Sequence, residues 1–117
     1  MTTHSTPALR FRLVLDSAHA IGPGKTDLLE AIATTGSIAA AGRSMGMSYK
    51  RAWQLIDELN RSFAAPLVAA NKGGARGGGA HLTPMGEKVL ATYRTIERKA
   101  EKALASDLRT LKRMLAK

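Results

Sequence analysis

Apolar residues recur along this chain with two different periods. From Leu9 to Leu15 they alternate, with Leu9, Phe11, Leu13 and Leu15 on one side and Arg10, Arg12 and Val14 on the other. That two-residue repeat predicts a half-buried strand. Asp16-Ser17-Ala18-His19 reads as a turn and Ala20-Ile21-Gly22 as a short return strand, which together make a small hairpin. Beyond it the period lengthens. Lys25 to Thr34 predicts a helix that buries Leu28, Leu29 and Ile32 and stops at Gly36. Ser37 to Phe63 then reads as two helices joined by a tight turn. The first carries Ile38, Ala41 and Met45, and Gly46-Met47-Ser48 makes the turn. The second places Ala52, Ile56, Leu59 and Phe63 on one face. Ser48 is positioned to cap it, its hydroxyl accepting from a first-turn N–H.

Ala65-Pro66 stops that helix, and Leu67 to Ala70 suits a strand. Asn71 to Thr83, NKGGARGGGAHLT, holds five glycines and two cations and returns through Ala80 to Leu82. It reads as a β-hairpin with a glycine-rich, basic tip. Thr83 or Pro84 opens the last helix, along which Met85, Val89, Tyr93, Ile96, Ala100, Leu104, Leu108, Leu111 and Leu115 recur every three or four residues. Ser106-Asp107 is a place for it to break or bend. So long an apolar stripe exceeds what a 117-residue core covers, and points to packing against a second copy. The expected fold is mainly α with small β: a winged helix–turn–helix with a long C-terminal helix. Residues 1–8 are expected to be a disordered N-terminus, and 9–117 one winged helix–turn–helix domain with its dimerisation helix from about residue 84.

Charge narrows the partner. The net charge is +9 and the pI near 10.5, a balance that favours a polyanion. Aromatic residues make up only 4% and are spread along the chain, unlike a stacking platform for single strands or RNA. Duplex DNA is the better candidate. There is no cysteine, and His4, His19 and His81 lack ligand spacing, so no metal and no cofactor is expected. No apolar run approaches a membrane span, and a cytoplasmic location without a membrane partner is the expectation. Gly22-Pro23-Gly24-Lys25-Thr26 resembles the end of a phosphate-binding loop, but His19 stands where the first glycine is required. With no paired carboxylates or His-based dyad either, an enzyme is not expected.

The chemistry concentrates at the third helix. Its start and outer face carry Tyr49, Lys50, Arg51, Gln54 and Arg61, hydroxyl, amide and cationic groups of the kind that read base edges. Trp53 lies about 100° round from Ala52, where it either packs at the core edge, the preferred reading, or lies against DNA backbone. In the hairpin tip, glycines let backbone N–H groups approach phosphates, and Lys72 and Arg76 add charge.

These residues also carry a family resemblance. SIAAAGRSMGMSYKRAWQLIDELN resembles the helix–turn–helix of the ModE family of molybdate-responsive regulators and, more distantly, that of LysR-type regulators. KGGARGGGAHLTPMGEKVL resembles the ModE wing and following helix, and IGPGKTDLLEAIATTGSI its first helix with the preceding turn. The likeness runs from about Leu9 to Tyr93. It implies a winged-helix homodimer that binds double-stranded DNA at a palindromic operator and regulates molybdenum uptake or metabolism genes. By the same resemblance, contacts fall on Ser48, Tyr49, Lys50, Arg51 and Gln54 of the reading helix and on Lys72, Gly73, Gly74 and Arg76 of the wing. The family's molybdate-sensing part has no counterpart here, so a regulator lacking it is expected. The alternative is a non-specific architectural or nucleoid protein, which would not need the polar set on the reading helix and would be expected to carry apolar wedges.

Overall fold

A computed structural model describes residues 8–71 and 79–117. Its elements are β1 (Leu13–Val14), β2 (Ala20–Ile21), α1 (Pro23–Thr35), α2 (Ile38–Ser44), α3 (Tyr49–Ser62), β3 (Val68–Ala70), β4 (Ala80–Leu82) and α4 (Pro84–Arg113). The strands form two antiparallel pairs, with Leu13 opposite Ile21 in the first and Ala69 opposite His81 in the second.

The first strand is shorter than its alternation suggested. Leu15 N–H and Asp16 N–H both donate to the His19 carbonyl, at 2.8 and 3.3 Å, which closes the turn and leaves Leu15 56% exposed. Phe11 is held by tertiary contact instead of strand pairing. Its carbonyl accepts from the Tyr93 hydroxyl at 2.7 Å, and its ring stacks on Tyr93 with centroids 5.9 Å apart. α1 starts two residues before the expected Lys25, because Pro23 suits a first helical position behind the Gly22 cap. It ends as expected at Gly36, whose φ of 72° is left-handed.

The core gathers Ile21, Leu28, Leu29 and Ile32 with Ala41, Ala52, Leu55, Ile56 and Leu59, and closes with Leu67, Val68, Ala80, Leu82 and Tyr93. Thr26 is buried among them, its hydroxyl donating to the Gly22 and Pro23 carbonyls. Among the described residues no buried side-chain polar atom lacks a partner. Leu55 joins the buried face of α3, whereas Phe63 lies one residue past the helix end and is partly buried.

α4 does not break at Ser106-Asp107; it is continuous to Arg113. Neither residue costs more than a fraction of about 1 kcal/mol inside a helix, and Thr110 Oγ1 bonds the Ser106 carbonyl across that turn. Thirty residues make a rod of about 45 Å. The rod is anchored at its start. Thr83 N–H donates to the Leu67 carbonyl at 2.9 Å, and Thr83 Oγ1 donates to the Pro66 carbonyl while accepting from Gly86 N–H. Arg94 bridges α4 to α1, reaching Asp27 at 2.9 Å, Glu30 at 3.2 Å and Glu97 at 2.8 Å. Burial works against its charge, but Glu97 and Asp27 outweigh that and raise its affinity for the proton. Further along, Leu104, Leu111, Met114 and Leu115 are exposed.

Candidate nucleic-acid interface

The helix–turn–helix is fixed by local chemistry at each joint. Ser37 caps α2 by accepting from Ala40 N–H at 3.1 Å. The chain then turns at Gly46, whose φ of 70° favours glycine, and Met47 N–H donates back to the Gly42 carbonyl at 2.9 Å. Ser48 caps α3 as expected, its Oγ accepting from Arg51 N–H at 3.0 Å. The two helices meet at small residues: a Cβ on Gly42 would stand 3.2 Å from that of Ala52.

With Ala52, Leu55, Ile56 and Leu59 turned inward, the start and outer side of α3 leave Ser48, Tyr49, Lys50, Arg51 and Gln54 exposed to solvent. All five sequence-assigned positions on this helix are therefore gathered at its exposed start. The Ser48 hydroxyl still has its proton to donate while its oxygen caps the helix. Lys50 and Arg51 make no ion pair among the described residues, so their charge is available to a partner. Arg61 is not in the same state, being paired to Asp57 at 2.7 Å.

Trp53 departs from the preferred sequence reading. It is 50% exposed because the inward arc of α3 is filled by smaller side chains centred near Ala52 and Ile56, leaving the indole outside the core edge. Tyr49, one turn earlier, is 57% exposed, in line with expectation.

Lys72, Gly73, Gly74 and Arg76, expected in the wing, lie outside the described residues, as do residues 1–7 of the expected N-terminal tail. The root of the β3–β4 hairpin is described, and it is tied to α3. Asn60 of α3 accepts from Leu67 N–H and Val68 N–H, at 2.8 and 3.1 Å, and donates to the Val68 carbonyl. Asn71 N–H donates to the Gly79 carbonyl, and Ala80 N–H to that of Gly36, each at 2.9 Å. The hairpin is thus held to α3 on one strand and to the end of α1 on the other.

Two cations that the sequence reading left unassigned stand beside this surface. Arg12 and Lys25 line an open groove with Gly22, Gly24 and Arg51. Lys25 pairs with Glu58 at 3.3 Å, whereas Arg12 has no ion pair among the described residues. The only sequence signal for Arg12 was its place on the outward side of the first strand. No group of acidic, histidine or cysteine side chains among the described residues could hold a metal ion. Among the described residues no helix is long and apolar enough to cross a membrane.

Comparison with known proteins agrees with this architecture. Molybdenum-pterin-binding protein MopB of Rhodobacter capsulatus is 50% identical over 86 residues, 74% of this chain and 32% of that protein. Molybdenum transport protein ModE of Azotobacter vinelandii is 40% identical over 95 residues, 81% and 35% of the two chains. The chain thus spans about a third of the length of these relatives. In three dimensions it is similar to the CbnR DNA-binding domain in complex with DNA, with a TM-score of 0.58 at 20% identity over 75% of this chain and 95% of that one. A MarR family transcription regulator gives a TM-score of 0.58 at 23% identity, over 74% of this chain and 58% of its own. These two likenesses establish a winged-helix fold. The model of the bacterial regulatory helix-turn-helix protein, lysR family, matches residues 25–87. That match covers more than half of the sequence, and the chain belongs to this family.

Proposed function

We propose that this chain reads duplex DNA sequence-specifically, in the cytoplasm and as a homodimer on a palindromic operator, to regulate genes of molybdenum uptake and metabolism. The observation that carries the reading is the exposed, Ser48-capped start of α3, where Tyr49, Lys50, Arg51 and Gln54 stand together without ion pairs among the described residues. Arg51 and Gln54 are the base-reading candidates, since a guanidinium suits guanine and an amide suits adenine. Lys50 is suited to phosphate, and Ser48 and Tyr49 hydroxyls to either. Lys72, Gly73, Gly74 and Arg76 are proposed to take backbone phosphates, beyond a hairpin root that is bonded to α3 through Asn60. The molybdenum assignment is supported by identity of 40–50% to relatives named for molybdenum transport and molybdenum–pterin binding. The homodimer is supported by the exposed leucines of α4 and by an apolar groove of about 250 Å³ lined by Leu13, Leu15, Phe63, Met85, Val89 and Ile96.

The test is binding of the purified protein to a molybdenum-transport promoter and to scrambled DNA at fixed salt, with and without molybdate. Selective binding to the promoter supports the reading. Equal binding to both DNAs, falling steeply with salt, would replace it with an architectural role.

A further inference from the structure

On an ideal helix Trp53 lies about 100° from Ala52, at the flank of α3 rather than at its outermost line. Asn60, seven residues later, falls within about 20° of the same flank and is bonded to Leu67 and Val68 at the root of the wing. Tyr49, four residues earlier, continues the flank towards the helix start. The two aromatic rings are 50% and 57% exposed, and the Trp53 indole N–H has no hydrogen-bond partner among the described residues. An apolar stripe therefore runs along the wing side of the positions held by Lys50 and Gln54. Its setting is basic: Lys50 and Arg51 have no ion pair among the described residues, and the chain carries a net charge of +9. A partner for this stripe must be anionic overall and yet offer apolar groups.

Resting on the reading of α3 as the DNA-contacting helix, we infer that Trp53 is a specificity-determining residue whose indole lies against thymine C5-methyl groups at the wall of the major groove. The thymine methyl is the apolar group that base edges show in that groove, and it projects beside its own strand's backbone. A side chain on the flank of a helix seated in the groove meets that wall, while Gln54 and Lys50 face the floor. Excluding water from both the ring and the methyl favours a thymine over any base without one.

Trp53 is the sole tryptophan, so its fluorescence reports this side chain alone in the unaltered protein. The experiment uses a duplex site selected from random DNA by the wild-type protein, with anisotropy of labelled DNA reporting binding independently. Acrylamide quenching of Trp53 is expected to fall at least about twofold in the complex, as a half-exposed ring becomes covered. Replacing thymines of the site one at a time by deoxyuridine is expected to weaken wild-type binding about fourfold at one or more positions per half-site, the effect of one methyl group left in water. Trp53→Ala should bind the unsubstituted site more weakly and be insensitive to those same replacements. Unchanged quenching in a complex that anisotropy shows to be formed would overturn the inference and leave the DNA-reading function standing. So would equal deoxyuridine sensitivity in Trp53→Ala, or quenching already suppressed in the free protein as its concentration rises, which would assign the ring to a contact between copies. Absence of any selected site would remove the DNA-reading function and this contact with it.

Discussion

A Cβ placed on Gly86 would stand 2.0 Å from the Leu67 carbonyl oxygen, so α4 crosses the segment entering β3 at backbone distance. The same carbonyl accepts from Thr83 N–H, and Gly86 N–H is committed to Thr83 Oγ1 at 3.0 Å. Neither side can move away without losing the cap of α4. Gly86→Ala should therefore destabilise the fold by about 3 kcal/mol or more. Gly24 is the control. It is also in a first helical turn, yet a Cβ there meets nothing within 4 Å, and Gly24→Ala should stabilise by about 0.5–1 kcal/mol. Urea denaturation of both variants decides; equal effects would contradict the close crossing.

Tyr93 closes α4 against the N-terminal segment. Tyr93→Phe removes the bond to the Phe11 carbonyl and should cost about 1 kcal/mol while keeping the ring stack. Burial first, and then the negative charge of Glu97, push the Tyr93 phenol above its ordinary 10.0. A folded-state pKa raised in this way gives a contribution fully present below pH 10.0 and lost as the pH climbs through the higher folded value. Stability of the wild type should fall on that alkaline side, and Tyr93→Phe should show a shallower fall.

Asp16 organises the tip of the first hairpin. Its Oδ1 accepts from Ala18 N–H at 2.9 Å and His19 N–H at 2.8 Å, with His19 Nδ1 also 2.9 Å away. The Ala18 N–H, and after it the His19 side chain, hold the carboxyl below its ordinary 3.8. For a depressed carboxyl the stabilisation is present above the unfolded value and disappears as pH falls through the lower folded one. Amide exchange at Ala18 and His19, compared between about pH 5 and about pH 2, should show their protection lost on the acid side.

Contacts to bases and to phosphates separate by their salt behaviour. Arg51→Ala and Gln54→Ala should each relax preference at one position per half-site, at about 1–3 kcal/mol for the preferred base. Lys72→Ala and Arg76→Ala should weaken all sequences alike and flatten the salt slope by about one unit each. Unchanged selection from random-site DNA by Gln54→Ala would contradict its assignment.

The end of α4 and the residues just past it supply the test of assembly. Leu111 and Leu115 are 62% and 71% exposed, and replacing both by Asp should leave a folded monomer of 12.4 kDa, where the wild type is expected to sediment at twice that mass. A monomeric wild type at micromolar concentration would refute the homodimer.

The candidate site was legible in the sequence where its causes are local. Ser48 before a helical apolar period is a cap signal, Gly46 a turn signal, and Lys50 and Gln54 fall opposite the apolar positions by helical geometry alone. Trp53 was not legible in the same way. A residue 100° from the core centre sits on the boundary between packing and exposure, and the choice depends on what neighbouring elements leave room for. Arg12 gave only its alternation, since its groove is built from α1 and α3 together.

By itself, then, the sequence determined the order and type of the elements, the caps at Gly36 and Ser48 and the polarity of α3, because period, capping and turn chemistry act within a few residues. The tertiary structure alone decided that Phe11 would be held by Tyr93 across 82 positions. It likewise decided that Arg94 would gather Asp27, Glu30 and Glu97, and that Gly86 would pass against the Leu67 carbonyl. Those relationships arise from which surfaces meet when the helices close on one core, and no local pattern encodes a distance between residues so far apart along the chain.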